Sequence, residues 1–228
     1  MIQQAHDAYN TQDYETAYTL YEALANRGDA TAMTSLAFMN QNGFGVTKND
    51  EKALEYYLKA GEQKQPYALF NLGILYANGI GGVVHDQFKA HTLFMEAAER
   101  EVPPAMYEIA LMLERGLGCL QNYSESAFWY EEAAKRGHAQ AFNNLGALYK
   151  EGHGVLKDEK RAFVCFERAS QQELAEGYYN LGLMYDQGMG VEEDHEKALD
   201  LCRKAAYAGH EKAKLIIAGL QEDGKIVF

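Results

Sequence analysis

The chain has 228 residues, 47% of them apolar, with 21 basic against 33 acidic side chains and a formal net charge of −12. That is enough apolar material for a sizeable buried core. The acidity repels phosphate backbones and anionic lipid surfaces, which sets nucleic acid aside as a partner unless a basic patch intervenes. The densest basic stretch, Lys157 to Arg161, carries two acids of its own.

The first residues, Met1 to Asp7, have neither a basic nor an apolar leader region, and no window approaches the roughly 18 apolar residues that span a bilayer, so no direct membrane insertion is expected. Three cysteines, Cys119, Cys165 and Cys202, are too few and too sparse for a disulfide framework, which favours a reducing, cytoplasmic setting. A periplasmic or secreted location is the alternative if a signal peptide has been removed.

Internal self-similarity organises the rest. An opening unit over about residues 1–29 predicts a short helix, a tight turn across Tyr9 to Tyr14, and a second helix entered through Asp13 and followed by Ala17 and Leu24. In the next unit, 30–65, Leu36-Ala37 is followed by Gly43-Phe44-Gly45, Val46, Asn49, Ala53 and Ala60. Unit 66–102 repeats the order with Asn71-Leu72-Gly73-Ile74-Leu75-Tyr76, Gly79-Ile80-Gly81, Val83, Asp86, Ala90 and Ala97, plus one inserted residue, Gly82. Unit 103–138 has Ile109-Ala110, Gly116-Leu117-Gly118, Leu120, Asn122, Ser126 and Ala133. Unit 139–174 has Asn144-Leu145-Gly146-Ala147-Leu148-Tyr149, Gly152-His153-Gly154, Val155, Asp158, Ala162 and Ala169. Unit 175–210 has Asn180-Leu181-Gly182-Leu183-Met184-Tyr185, Gly188-Met189-Gly190, Val191, Asp194, Ala198 and Ala205. A last helix over about 211–222 carries Ile217-Ala218 and has no following partner; with its tail, 211–228, it reads as a cap. From Leu36 through Leu72, Ile109, Leu145 and Leu181 to Ile217 the spacings are 36, 37, 36, 36 and 36.

Each unit reads as two antiparallel helices, A and B. Gln140 to Glu151 carries apolar residues at 142, 145, 148 and 149, and Glu159 to Gln171 at 163, 166 and 169, the spacing of one helical stripe. The first glycine of each Gly-x-Gly suits the left-handed position that ends helix A. The Val or Leu after the loop is expected to plug it onto the core, and the Asx to accept from the first free amides of helix B. Gly or Ala in the Leu-Gly column lets helices approach closely. A phosphate-binding reading of Gly-x-Gly requires a preceding strand, and here a helix precedes every copy, so no cofactor is expected.

Together the Leu-Gly-x-Leu-Tyr helix, the Gly-x-Gly-Val loop, the Asp, the Lys-Ala, paired aromatics such as Tyr56-Tyr57 or Trp129-Tyr130, and the closing Lys-Ala-Ala and Gly-His resemble the Sel-one-like repeat (SLR) family, a relative of the tetratricopeptide repeat (TPR). The resemblance covers about residues 13 to 224. It implies an all-α fold, a right-handed α-α superhelix of about six helix pairs plus a C-terminal capping helix, forming one solenoid domain over 1–228. It also implies a concave groove lined by A helices and non-catalytic adaptor roles. A secreted branch of the family pairs cysteines within each repeat; that pairing is absent here, and Cys165 and Cys202, which stand in aromatic columns of helix B, read as small core residues. An enzyme or enzyme regulator acting on cell-envelope material is the alternative, suggested only by relatives.

Mapping the TPR pattern onto helix A places Tyr67, Phe70, Asn71, Tyr107, Asn143, Asn144, Tyr179 and Asn180 partly toward the groove. An Asn amide both donates and accepts, which suits a peptide main chain, and aromatics give rigid contact area. The same Asn column can instead satisfy helix–helix contacts inside the array. Few Lys or Arg occupy these columns, and Glu108 and Glu176 lie nearby, so the expected partner is a protein or peptide with a neutral or basic segment. No metal is expected: His195 and His210 each open a His-Glu-Lys-Ala stretch, yet neither has a second His four residues on. The apolar tail Ile226-Val227-Phe228 admits folding back over the last helix, fraying, or self-association through a neighbouring groove.

Overall fold

A computed structural model describes residues 1–222, and the tail from 225 to 228 lies outside the described residues. The described residues form thirteen α-helices and no strand. The chain divides into two compact units, Met1–Gln121 and Asn122–Phe228. The first contains α1 (Ile2–Asn10), α2 (Tyr14–Ala25), α3 (Ala30–Asn42), α4 (Asp50–Glu62), α5 (Pro66–Asn78), α6 (Gln87–Ala98) and α7 (Pro103–Arg115). The second contains α8 (Tyr123–Lys135), α9 (Ala139–Glu151), α10 (Glu159–Gln171), α11 (Ala175–Asp186), α12 (His195–Tyr207) and α13 (Glu211–Glu222). In each unit every helix packs chiefly against its neighbours in the chain, as expected for a repeat array. No helix of the described residues is long and apolar enough to cross a membrane.

The Asx column does what its chemistry suggests. Asp13, Asn49, Asp86, Asn122, Asp158 and Asp194 each precede a B helix and accept the backbone amide three residues on, at 3.2, 2.8, 2.9, 3.1, 3.0 and 2.9 Å. Each such cap stabilises its helix by about 1 kcal/mol. The amide donor belongs to Lys52, Lys89, Arg161 or Lys197 in four of these repeats. The side chain of the same residue reaches a tyrosine hydroxyl: Lys52 to Tyr18, Lys89 to Tyr76, Arg161 to Tyr149 and Lys197 to Tyr185. In the last three the tyrosine closes helix A of the same repeat, so one residue secures the start of helix B to the end of helix A.

The small columns are where helices touch. Ala53, Ala90 and Ala162 are fully buried, as are Ala60, Ala97, Ala133, Ala169 and Ala205. The bulk comes from one aromatic column of helix B: Tyr57, Phe94, Tyr130 and Phe166 are all sealed from solvent. Burial of such a ring stabilises by roughly 2–3 kcal/mol. Helix A makes room for it. A Cβ on Gly73 would lie 2.5 Å from the Phe94 ring, and one on Gly146 2.8 Å from Phe166.

The two glycines of each loop have different tasks. Gly43, Gly79, Gly116 and Gly152 end their A helices with left-handed φ near +70°, while α11 closes one residue earlier, at Gln187. The second glycine docks the loop on the preceding repeat. A Cβ on Gly81 would meet the carbonyl oxygen of Asp50 at 2.8 Å, on Gly118 that of Gln87 at 2.2 Å, and on Gly190 that of Glu159 at 2.5 Å. On Gly154 it would meet the carbonyl carbon of Tyr123 at 2.3 Å. These contacts fall on the first turn of the previous B helix.

One expectation is corrected. Leu120 does not plug its loop: it is 90% exposed, while Val46, Val83, Val155 and Val191 are half-buried. Cys119, directly after the second glycine of that loop and itself half-buried, holds the plugging position. Leu120 is one residue too far along and faces water.

Candidate functional site

In the first unit the A-helix face is not flat. Tyr9 of α1, Thr34, Ser35 and Phe38 of α3, and Asn71 of α5 enclose, with Tyr21 of α2, a cavity of about 230 Å³. Hydroxyls, an amide and three aromatic rings thus converge on one space. Ser35 lies beside the Tyr21 hydroxyl, and burial pushes that phenol above its ordinary pKa, keeping it a neutral donor and acceptor. Phe38 is 40% exposed at the rim. Of the side chains singled out in this unit, Tyr67 is exposed on the first turn of α5, and Phe70 is half-buried with its ring centroid 5.7 Å from that of Phe94. Tyr107 is half-buried on α7.

Glu108, also half-buried on α7, occupies the column that holds Asn71 in α5, since Asn71-Leu72-Gly73 and Glu108-Ile109-Ala110 are the same register. Burial raises its carboxyl pKa above the usual range, opposed only in part by Arg115 two turns further along the helix. Among the described residues no donor hydrogen-bonds this carboxylate.

In the second unit three asparagines form a chain of amides. Asn180 of α11 donates to the Asn143 Oδ1 of α9 at 2.8 Å, Asn143 donates to the neighbouring Asn144 Oδ1 at 3.4 Å, and Asn144 donates to the Tyr130 hydroxyl of α8 at 3.0 Å. The column therefore spends part of its hydrogen-bonding capacity on linking successive A helices, and each amide nitrogen keeps a second hydrogen. Tyr179 stacks on His210 with centroids 4.2 Å apart and interplanar angle 19°. It borders a second cavity, of about 290 Å³, walled by Leu183, Leu199, Cys202, Ile216 and Leu220. At its edge His195 bridges Asp186 and Glu193, 3.0 Å to each. Cys165 is buried and its thiol pushed up to about 11 by desolvation, which suits a small core residue rather than a reactive thiol. Cys202 is half-buried, its pKa also raised by burial.

Tyr9, Tyr21, Thr34, Ser35 and Phe38 are the cavity residues that the repeat columns leave out. The first two belong to the atypical opening unit, and the others lie in a repeat whose Leu-Gly motif is degenerate. The one available signal was aromatic density: Tyr9, Tyr14, Tyr18 and Tyr21 fall within a single short unit.

Antiparallel helix pairs repeated in register, joined by glycine-hinged loops and presenting a polar and aromatic face on the first helix of each pair, define an all-α repeat protein of the solenoid class. A family model for the Sel1 repeat matches residues 11–29, 30–64, 66–101, 103–138, 139–174 and 175–210. The chain belongs to the Sel1 repeat family.

Solved relatives agree. A Sel1 repeat protein from Oxalobacter formigenes superposes with a TM-score of 0.90 at 29% identity, over 96% of this chain and 87% of that one. The protein c5321, a protective antigen present in uropathogenic Escherichia coli strains that displays an SLR fold, gives a TM-score of 0.82 at 28% identity, over 92% of this chain and 45% of its own. Among curated proteins, chitin synthase regulatory factor 2 of Schizosaccharomyces pombe is 33% identical over 73 residues, 32% of this chain. The match spans only 14% of that protein. Repeat folds of this kind are typically protein-interaction scaffolds, and the family is generally non-catalytic.

Proposed function

We propose that the chain is a non-catalytic adaptor that holds an extended peptide segment of a partner protein along its A-helix face. The observation that carries this reading is the cavity into which Asn71 opens. An amide beside two tyrosines, a phenylalanine and two aliphatic hydroxyls supplies main-chain hydrogen bonding next to rigid apolar surface, the combination that protein-binding hot spots use. The asparagine chain of the second unit fits the same role more loosely, because its amides are already partly engaged. The segment bound is neutral or basic, consistent with the net charge of −12.

Selection of a phage-displayed random dodecapeptide library on the purified protein tests the reading. Enriched peptides are expected to bind at least about tenfold more weakly to the Phe38→Ala and Asn71→Ala variants, the loss typical of a hot-spot side chain. Unchanged affinity in both variants, or no enrichment at all, would show the reading to be wrong. A regulator of an envelope-building enzyme is a second reading, motivated by the short likeness to chitin synthase regulatory factor 2. It too requires a docking surface for a partner, and differs in the identity of that partner.

A further inference from the structure

We propose that Glu108 is the residue that sets selectivity on this face: its carboxylate accepts the ammonium or guanidinium of a Lys or Arg in the partner segment, about three residues from an apolar side chain that enters the Tyr9–Tyr21–Phe38 cavity. The inference rests on the peptide-binding reading of that face and goes beyond it by naming the charge and spacing of the ligand.

Three observations support it. The first is register: Asn71, Asn144 and Asn180 occupy this column in their repeats, and only in the repeat opened by α7 does a carboxylate replace the amide. The second is the lack of a partner. The carboxylate is half-buried, no donor among the described residues bonds it, and Arg115 is two helical turns away along α7. A carboxylate that serves packing alone is ordinarily paired when it is partly removed from water, because its desolvation is otherwise uncompensated. The third is charge: Tyr67, Phe70, Asn71 and Tyr107, the side chains singled out around Glu108 on α5 and α7, carry no positive charge, and the cation that acts on its carboxylate, Arg115, stands two helical turns away.

The spacing follows from geometry. Asn71 stands at the edge of the cavity on α5, and Glu108 holds the same position on the next A helix. α5 and α7 both pack on α6; with about 10 Å taken for one step between A helices and about 3.3 Å of extended chain per residue, the anchor and the basic residue fall about three positions apart.

The test uses the full chain and the Glu108→Asn variant, which installs the residue that the neighbouring repeats already tolerate. Both are put through selection on a random dodecapeptide phage library, and far-ultraviolet circular dichroism verifies that the variant is folded. The wild-type pool is expected to be enriched in Lys or Arg about three residues from an aromatic or branched apolar residue. The variant pool should keep the apolar preference and lose the basic one. A synthetic peptide from the wild-type pool should bind Glu108→Asn at least about tenfold more weakly, and replacing its basic residue with norleucine should abolish that difference. If Phe38→Ala and Asn71→Ala weaken the peptide while Glu108→Asn leaves affinity and basic preference unchanged, the role of Glu108 is overturned and the peptide-binding reading survives. If none of the three variants alters binding, or neither protein enriches any peptide, both fall together.

Discussion

A carboxylate at position 108, where the aligned positions in α5, α9 and α11 carry amides, should leave a trace in stability as well as in binding. Burial holds its pKa above the ordinary glutamate range. The folded state therefore binds the proton more tightly than the unfolded chain does. The contribution to stability is fully present below the unfolded pKa, near about 4.3, and is lost as pH rises through the folded value. At pH 7 the ionised side chain is then a net cost, and Glu108→Gln is expected to raise the melting temperature. Below about pH 4 both forms are neutral and the two proteins should melt together. Thermal unfolding of the pair at pH 7 and pH 3.5 checks this; a stabilisation that persists at low pH would mean that shape rather than charge sets the difference. The asparagines behave differently. Asn71, Asn144 and Asn180 were legible as a column, but the chain of hydrogen bonds that joins Asn144 and Asn180 through Asn143 was not, because which amide reaches which neighbour depends on side-chain rotamers and helix spacing that periodicity does not encode.

At the scale of elements, the loop is where the fold is least forgiving. Gly154 has a φ of +71° and also lies against the backbone of Tyr123, whereas Gly137, with a φ of +85°, has open space where a Cβ would go. Gly137→Ala should therefore cost about 1 kcal/mol, the left-handed penalty alone. Gly154→Ala carries that penalty plus a clash that only displacement of the loop can relieve, and should cost at least about 2 kcal/mol more. Chemical denaturation of both variants measures the difference, and equal losses would show that the docking contact contributes nothing. Helix order, the Asx caps and the left-handed helix ends could be read from residue type because each depends on local backbone chemistry. The second glycine could be seen as invariant between copies, but not explained, since its reason is a contact with a residue about thirty positions earlier. The plug misassigned to Leu120 shows the converse limit: in a loop one residue decides whether a side chain faces the core or water, and hydrophobicity alone chose the wrong one. At the turns between repeats, Lys64, Glu101 and Glu173 adopt φ near +60° where other copies use Gly28, Gly137 and Gly209, a conformation that their residue types did not announce.

At the scale of the whole molecule, charge is the property that acts at a distance. With 33 acidic and 21 basic residues the chain attracts a basic segment before contact, and that attraction is screened over about 8 Å at physiological salt. Association of a selected Lys- or Arg-bearing peptide should therefore slow several-fold between 20 mM and 300 mM NaCl, with the dissociation rate changing less. Stopped-flow fluorescence separates the two rates. An association rate insensitive to salt would indicate that long-range charge plays no part in recognition.

The docking of each loop on the previous repeat has a further consequence for how such a chain can change length. The second glycine of the loop rests on backbone atoms, whether the residue that supplies them is an acid (Asp50, Glu159), an amide (Gln87) or an aromatic (Tyr123). What one repeat recognises in its predecessor at that contact is the shape of a helix start. A join that reads shape without reading side chains is one that any copy can make with any other. Duplication or loss of a whole 36-residue segment of the gene would leave this part of every junction intact, so arrays of different lengths can arise without a new interface being invented each time.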